Sequence, residues 1–230
     1  MSARAGLITY LQGAAYLDGT RVFLKTTRFP QMRDGQALST GRGRAELLLA
    51  PGVILRLADD SRVRMENTQL SNTRVTIERG DVLIEVLQLP EGSQLQVRLG
   101  DSVTEFTRPG LYRFGTMQKT LKVYGGDALV RLGPAITLPV KRGLAVDLNP
   151  GLAVSRFDRK QTDLLHNWAA RRSFDLFMGD PEAREKQNHW QAAGSGYLEN
   201  KNFGVAFHAF LRRGPVPPSL GPGIPRAETR

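Results

Sequence analysis

The sequence predicts an all-β protein, with many short strands in a sandwich or β-roll, followed by a C-terminal α-helix and an extended tail. Three observations predict it. Short apolar or alternating runs recur from residue 7 to 148, turn formers separate them, and a three- and four-residue apolar period appears only after Asp158. A length of 230 residues is enough for one sizeable core. The absence of Cys excludes a disulfide scaffold, Cys-ligated zinc or iron–sulfur sites, and a thiol nucleophile. No run of about 18 apolar residues is present, so no membrane-spanning helix is expected.

The expected strands are, in order, Leu7–Leu11, Glu46–Leu49, Val53–Leu57, Arg62–Met65, Val75–Glu78 and Val82–Val86. Leu95–Leu99, Val103–Phe106, Leu111–Phe114, Leu121–Tyr124, Ala128–Leu132, Ile136–Val140 and Leu144–Leu148 continue the series. Pro51-Gly52, Asp59-Asp60, Gly80-Asp81, Gly100-Asp101, Pro109-Gly110, Gly125-Gly126-Asp127 and Arg142-Gly143 mark corners, because Gly supplies positive φ and Pro pre-sets a turn angle. No helical stretch interrupts them, which argues against βαβ units. The expected organisation is a β domain over 5–150, a helix over 158–178 packed on or after it, a polar helix and aromatic strand over 181–213, and a Pro-rich tail over 214–230.

Asp158 followed by Gln161 matches a capping box. Leu164, Leu165, Trp168, Ala169, Leu176 and Phe177 then form one apolar helical face, with Trp168 expected in the core. Gly179 and Pro181 stop that helix, and residues 181–192 are read as a second, more polar one. Phe203, Val205, Phe207, Ala209 and Leu211 alternate as a strand does, and five prolines follow. An edge strand with aromatic residues at alternate positions can join another sheet by β-augmentation. Tyr197, Phe203, Phe207 and Phe210 are therefore the candidate partner-binding residues, the plainer role being closure of the chain's own sheet.

The formal charge of +10 invites a nucleic-acid reading, but the excess is spread along the chain, with only the last thirty residues mildly enriched. Arginines at alternate positions, as in Arg62-Val63-Arg64-Met65, describe the wet face of a sheet, so nucleic acid is not expected as a partner. His166, His189 and His208 lack the carboxylate spacing of a metal site, and no cofactor is expected. Asp59-Asp60-Ser61 could touch a cation, although acidic pairs at corners are ordinarily turn residues. Gly41-Arg42-Gly43 lacks the third Gly of a dinucleotide fingerprint and leads into a strand.

Ser102 in Gly100-Asp101-Ser102-Val103, with Asp163-Leu164-Leu165-His166, resembles the nucleophile and Asp-x-x-His blocks of GDSL-type serine hydrolases. That resemblance implies an esterase in which His166 takes the Ser102 proton and Asp163 orients the imidazole. Against it stand the missing βαβ units and the absence of Gly and Asn blocks for an oxyanion hole. A cell-wall glycan-binding module is a further alternative, with Tyr112, Phe114 and Tyr124 as the aromatic candidates.

A longer resemblance covers residues 5–148. Leu38-Ser39-Thr40-Gly41-Arg42-Gly43-Arg44-Ala45-Glu46-Leu47, Pro51-Gly52-Val53-Ile54-Leu55-Arg56-Leu57 and Ser61-Arg62-Val63 resemble the glycine turn, strand and hairpin of the FecR-type periplasmic domain. Glu78-Arg79-Gly80-Asp81-Val82, Arg108–Phe114, Val123–Val130 and Val140–Gly143 continue the likeness, and Asp163–Ser173 resembles the helix after that domain. It implies an exported, non-enzymatic interaction or sensor module of the bacterial envelope, periplasmic or extracellular. Its partner would be an envelope protein or a second copy of itself. Family members that regulate sigma factors carry a helical segment and a membrane span before the domain; neither occurs in these 230 residues, so no transmembrane relay is expected of them. Met1-Ser2-Ala3-Arg4 leads straight into a strand without a signal-peptide pattern. Export would then use a leader outside this sequence, the reading the resemblance favours, the alternative being a cytosolic protein.

Overall fold

Fifteen strands and one helix account for the regular structure of a computed structural model that describes residues 4–24, 29–89 and 92–178. The strands are β1 (Leu7–Leu17), β2 (Thr20–Arg21), β3 (Ala37–Ala50), β4 (Val53–Leu57), β5 (Arg62–Asn67), β6 (Asn72–Arg79), β7 (Asp81–Val86) and β8 (Gln94–Leu99). They continue as β9 (Ser102–Phe106), β10 (Gly110–Gly115), β11 (Thr120–Val123), β12 (Asp127–Leu132), β13 (Ile136–Lys141), β14 (Leu144–Asp147) and β15 (Val154–Arg156), before helix α1 (Leu164–Met178). The all-β expectation is met, and every run expected between residues 7 and 148 lies in or overlaps a strand. The short exposed strands β2 and β15 were not expected.

All fifteen strands belong to one curled sheet, and β3 is its spine. Ala37–Ser39 pairs with β5, Ala45–Ala50 pairs with β4, and β1 runs along the other edge of β3. Two arms leave this spine. One runs β4-β7-β10-β11-β14-β15 and the other β5-β6-β8-β9-β12-β13. All pairings are antiparallel except β6 with β8. Pro139, which has no N–H to give, lies in the outermost strand of its arm.

Alternation along each strand divides the residues between two faces. Leu55, Ile84, Phe114 and Leu121 of one arm and Met65, Val75, Val97, Phe106 and Val130 of the other share a single buried core. On the opposite face of the second arm, Glu78 receives Arg62 and Arg64 at 2.5 and 2.6 Å, as expected for the wet side of the sheet. Burial opposes the Glu78 charge, but the hydrogen bonds from Arg62 and Arg64 outweigh it and hold the carboxyl below its ordinary value.

Gly41-Arg42-Gly43 is not a turn but the middle of β3. There Gly13 and Gly43 face each other beside a bulge, and a Cβ on Gly13 would strike the Arg42 carbonyl. A second glycine is fixed by a side chain. The Tyr112 hydroxyl donates to the Arg108 and Asp127 carbonyls at 2.5 and 3.0 Å, pinning the corner before β10. Gly126, at φ 80°, leaves room for that hydroxyl. Gly126→Ala would place a Cβ against Tyr112 Oη and 2.6 Å from the Pro109 carbonyl. It should cost about 1–3 kcal/mol, read as a lower urea midpoint at unchanged slope.

The helix starts later than the capping-box pattern suggests. Asp158 Oδ1 accepts from the Lys160 N–H at 3.0 Å, which makes a turn. Asp163 is the cap, accepting the His166 N–H at 2.8 Å. Leu165, Trp168 and Ala169 are buried as expected, whereas Leu164, expected on the same face, is 75% exposed. The polar helix, the aromatic strand with Tyr197, Phe203, Phe207 and Phe210, and the Pro-rich tail all lie outside the described residues.

Candidate functional site

Helix α1 lies on the outer face of the first arm, and the sheet residues beneath it are charged. Strand register builds this surface: Glu46 stands opposite Arg56, Arg56 opposite Leu83, and Leu83 opposite Arg113. In the next row Ile54 stands opposite Glu85, and Glu85 opposite Leu111. Arg56 is wholly buried between two acids, its Nε 2.9 Å from Glu46 Oε2 and its Nη1 2.6 Å from Glu85 Oε2. Burial opposes its charge, but Glu85 and Glu46 outweigh that cost and raise the guanidinium above its ordinary value.

The helix completes the network. Ser173 accepts from Arg56 Nη2 at 2.9 Å and donates to Glu85 Oε2 at 2.7 Å. Arg172 reaches Glu46 Oε1 at 3.5 Å while its guanidinium lies 3.8 Å from the centre of the Tyr10 ring. Thr9 donates to the same Glu46 oxygen at 3.1 Å. Trp168 packs against Tyr10 and beneath the Arg44 guanidinium. The apolar part of the junction is small: Leu165, Trp168 and Ala169 meet Leu83, Leu111 and Tyr124, with Tyr10, Ala58 and Phe157 at the rim.

At the other end of α1 a cleft of about 460 Å³ opens between the Gln161–Asp163 turn and the β10–β11 surface. Its charges are largely matched, since Arg113 bridges Asp81 at 3.1 Å and Asp163 at 2.5 Å. Lys122 sits over the Phe157 ring, and the Tyr124 hydroxyl donates to the Gln161 carbonyl. His166 stacks edge-on against Tyr124 at 4.9 Å. Burial lowers its pKa below 6.5; Asp163 and Glu85 oppose that shift and Arg113 adds to it.

Unfolding or release of α1 therefore favours proton uptake by His166. Its contribution is complete above pH 6.5 and declines as pH falls toward the lowered folded value. Stability of the wild type should drop more than that of His166→Asn between pH 7 and 5, measured by urea unfolding at each pH. Parallel profiles would contradict this assignment.

The structure does not assemble the serine–histidine set. Ser102 is buried in the core and donates to the Leu148 carbonyl at 3.2 Å, whereas His166 stands outside the first arm against Tyr124. Asp163 meets the His166 backbone N–H, and its carboxyl pairs with Arg113. The aromatic candidates for glycan stacking are also displaced from the surface. Tyr112, Phe114 and Tyr124 are buried, because their positions in β10 and just after β11 face the core or α1. Asp60 and Ser61 serve the turn: Asp60 pairs with Arg79 at 2.8 Å, and the Ser61 N–H donates to Thr40 Oγ1. Among the described residues no three His, Asp or Glu groups are placed to hold a metal ion. Nor is any described helix long and apolar enough to cross a membrane.

The charge network was missed from sequence, yet it left a trace. Glu46 opens the apolar run Glu46-Leu47-Leu48-Leu49, and Arg56 and Glu85 interrupt the apolar runs Val53-Ile54-Leu55-Arg56-Leu57 and Val82-Leu83-Ile84-Glu85-Val86. Charges of both signs in neighbouring apolar strands are the mark of a buried ion pair.

No family model matches the chain, and no curated protein matches it. Three chains among the solved structures do. Two are crystal structures, at 2.50 and 1.65 Å resolution, of a candidate anti-sigma factor from Parabacteroides distasonis ATCC 8503. They are 16% and 15% identical to this chain with a TM-score of 0.46, and the alignment covers 54% of this chain and 61% of each of theirs. The chain thus spans less than two thirds of the structures it is similar to.

Proposed function

We propose that the chain is a non-enzymatic interaction or sensor module of the bacterial envelope that acts through protein contacts. The observation that carries this reading is the division of the chemistry-bearing residues by the sheet: Ser102 on the core side, Asp163 and His166 on the α1 side. The FecR-type sequence resemblance over residues 5–148 supports it and favours a place in the periplasm or outside the cell.

The contact element is the terminal aromatic strand with Phe203, Phe207, Phe210 and the nearby Tyr197, which joins a sheet edge of an envelope protein or of a second copy. Truncation after residue 196 tests it. Loss of partner capture, or of any oligomer seen by light scattering, is the expected result. Unchanged oligomeric state and partner binding would defeat the terminal-strand role.

A further inference from the structure

A helix seated permanently on a sheet ordinarily covers an apolar surface. Under α1 the sheet presents Glu46, Arg56 and Glu85, and the helix answers with Arg172 and Ser173. Three buried polar atoms at this junction have no hydrogen-bond partner among the described residues: Glu85 Oε1, His166 Nδ1 and Arg172 Nε. Each regains water when the helix lifts, which offsets part of the cost of exposing the apolar side chains there. Lifting breaks no strand pairing, because the ladder partners of β3, β4, β7, β10 and β11 are all strands; only the side-chain bonds of Arg172 and Ser173 are lost. The uncovered strip would carry Glu46, Arg56 and Glu85 beside Leu83, Leu111 and Tyr124, and water tolerates such a mixed strip better than a wholly apolar one.

The strip also specifies what can cover it. Two acids flank one arginine, leaving a formal excess of one negative charge that Arg172 balances. A purely apolar helix would bury that excess unpaired and leave Arg56 Nη2 without an acceptor. We propose that this strip is a docking seat for a helix of a partner protein, with α1 as its resident occupant. The fitting partner helix carries an indole, a guanidinium and a hydroxyl at the spacing of Trp168, Arg172 and Ser173. The seat is separate from the terminal strand and does not depend on that strand's role. The tethered α1 has the advantage of high effective concentration, so exchange requires either an abundant partner or a weakened resident helix.

The test uses the full chain and a fluorescent peptide of residues 160–178 as probe. The chain carrying Arg172→Ala and Ser173→Ala should capture the peptide at least tenfold more tightly than the wild type, by anisotropy. A peptide with the same two substitutions should not bind. Native-state amide exchange should show α1 opening before β4 and β7 in the wild type. Absence of capture by the substituted chain with its strands still protected overturns the proposal, as does collapse of the whole sheet in that variant. A concentration-dependent dimer of the wild-type chain alone, abolished by the two substitutions, would make a second copy the occupant and overturn the partner-helix form.

Discussion

Replacing Arg56 with alanine should lower the unfolding free energy by about 3–5 kcal/mol while α1 remains seated. The destabilisation comes less from the two ion pairs than from what stays behind. Glu46 and Glu85 are 2% and 1% exposed and would face each other across the vacated strand without a counter-charge. Ser173 would keep its bond to Glu85 but lose the guanidinium it accepts from. One route limits the damage: if α1 lifts, water reaches both acids, and its amides then exchange ahead of those in the strands. The measurement is therefore paired, with a urea midpoint for the sheet and exchange rates for α1. An unchanged midpoint with α1 still protected would contradict the account. Replacing all three residues together, as E46L, R56M and E85L, should cost far less than R56A alone, since a well-packed apolar set carries no desolvation cost.

Phe114→Ala should be as damaging, at about 3–5 kcal/mol, for a different reason. Phe114 is wholly buried, and its ring lies 6.5 Å edge-on from that of Phe106, which itself packs 4.4 Å from Tyr112. These rings join the two arms, since Phe106 belongs to β9 and the other two to β10. Removing Phe114 forfeits transfer free energy and opens a cavity that rigid strands cannot close. Ile136→Ala, at an edge position 45% exposed, should stay within about 0.5 kcal/mol. If Phe114 instead served glycan stacking, its replacement would abolish glycan retention and leave the urea midpoint unchanged.

The strand and turn pattern was legible because alternation reports burial on one face directly. The observed strands run longer than the apolar runs wherever polar residues are also built in. Ser102 is an example, since it opens β9 and is buried through its bond to Leu148. Gly41-Arg42-Gly43 misled because glycine marks a turn only when φ or space must be relieved within one chain segment. Here the close approach is between β1 and β3. The helix start slipped because Asp158 and Asp163 both satisfy a cap by type, and only geometry shows which carboxyl meets an N–H of the first turn. Arg56 stands out in the apolar β4 run, but what seals it does not, for a deeper reason. Ser173, which helps seal it, follows more than a hundred residues later, so no local window contains both.

The two arms also bear on how the chain reaches this state. The strands do not fill one arm and then the other: β4 goes to the first, β5 and β6 to the second, β7 back to the first, and the exchange continues to β15. Neither arm is a contiguous stretch of sequence. A nick or a gene split anywhere between β5 and β13 therefore divides both arms between the fragments, and neither fragment should fold until the other is added. Pairings such as β4 with β7 and β9 with β12 must also wait for the intervening segments to settle elsewhere. Topologies so dominated by distant contacts fold on the scale of milliseconds to seconds, not microseconds.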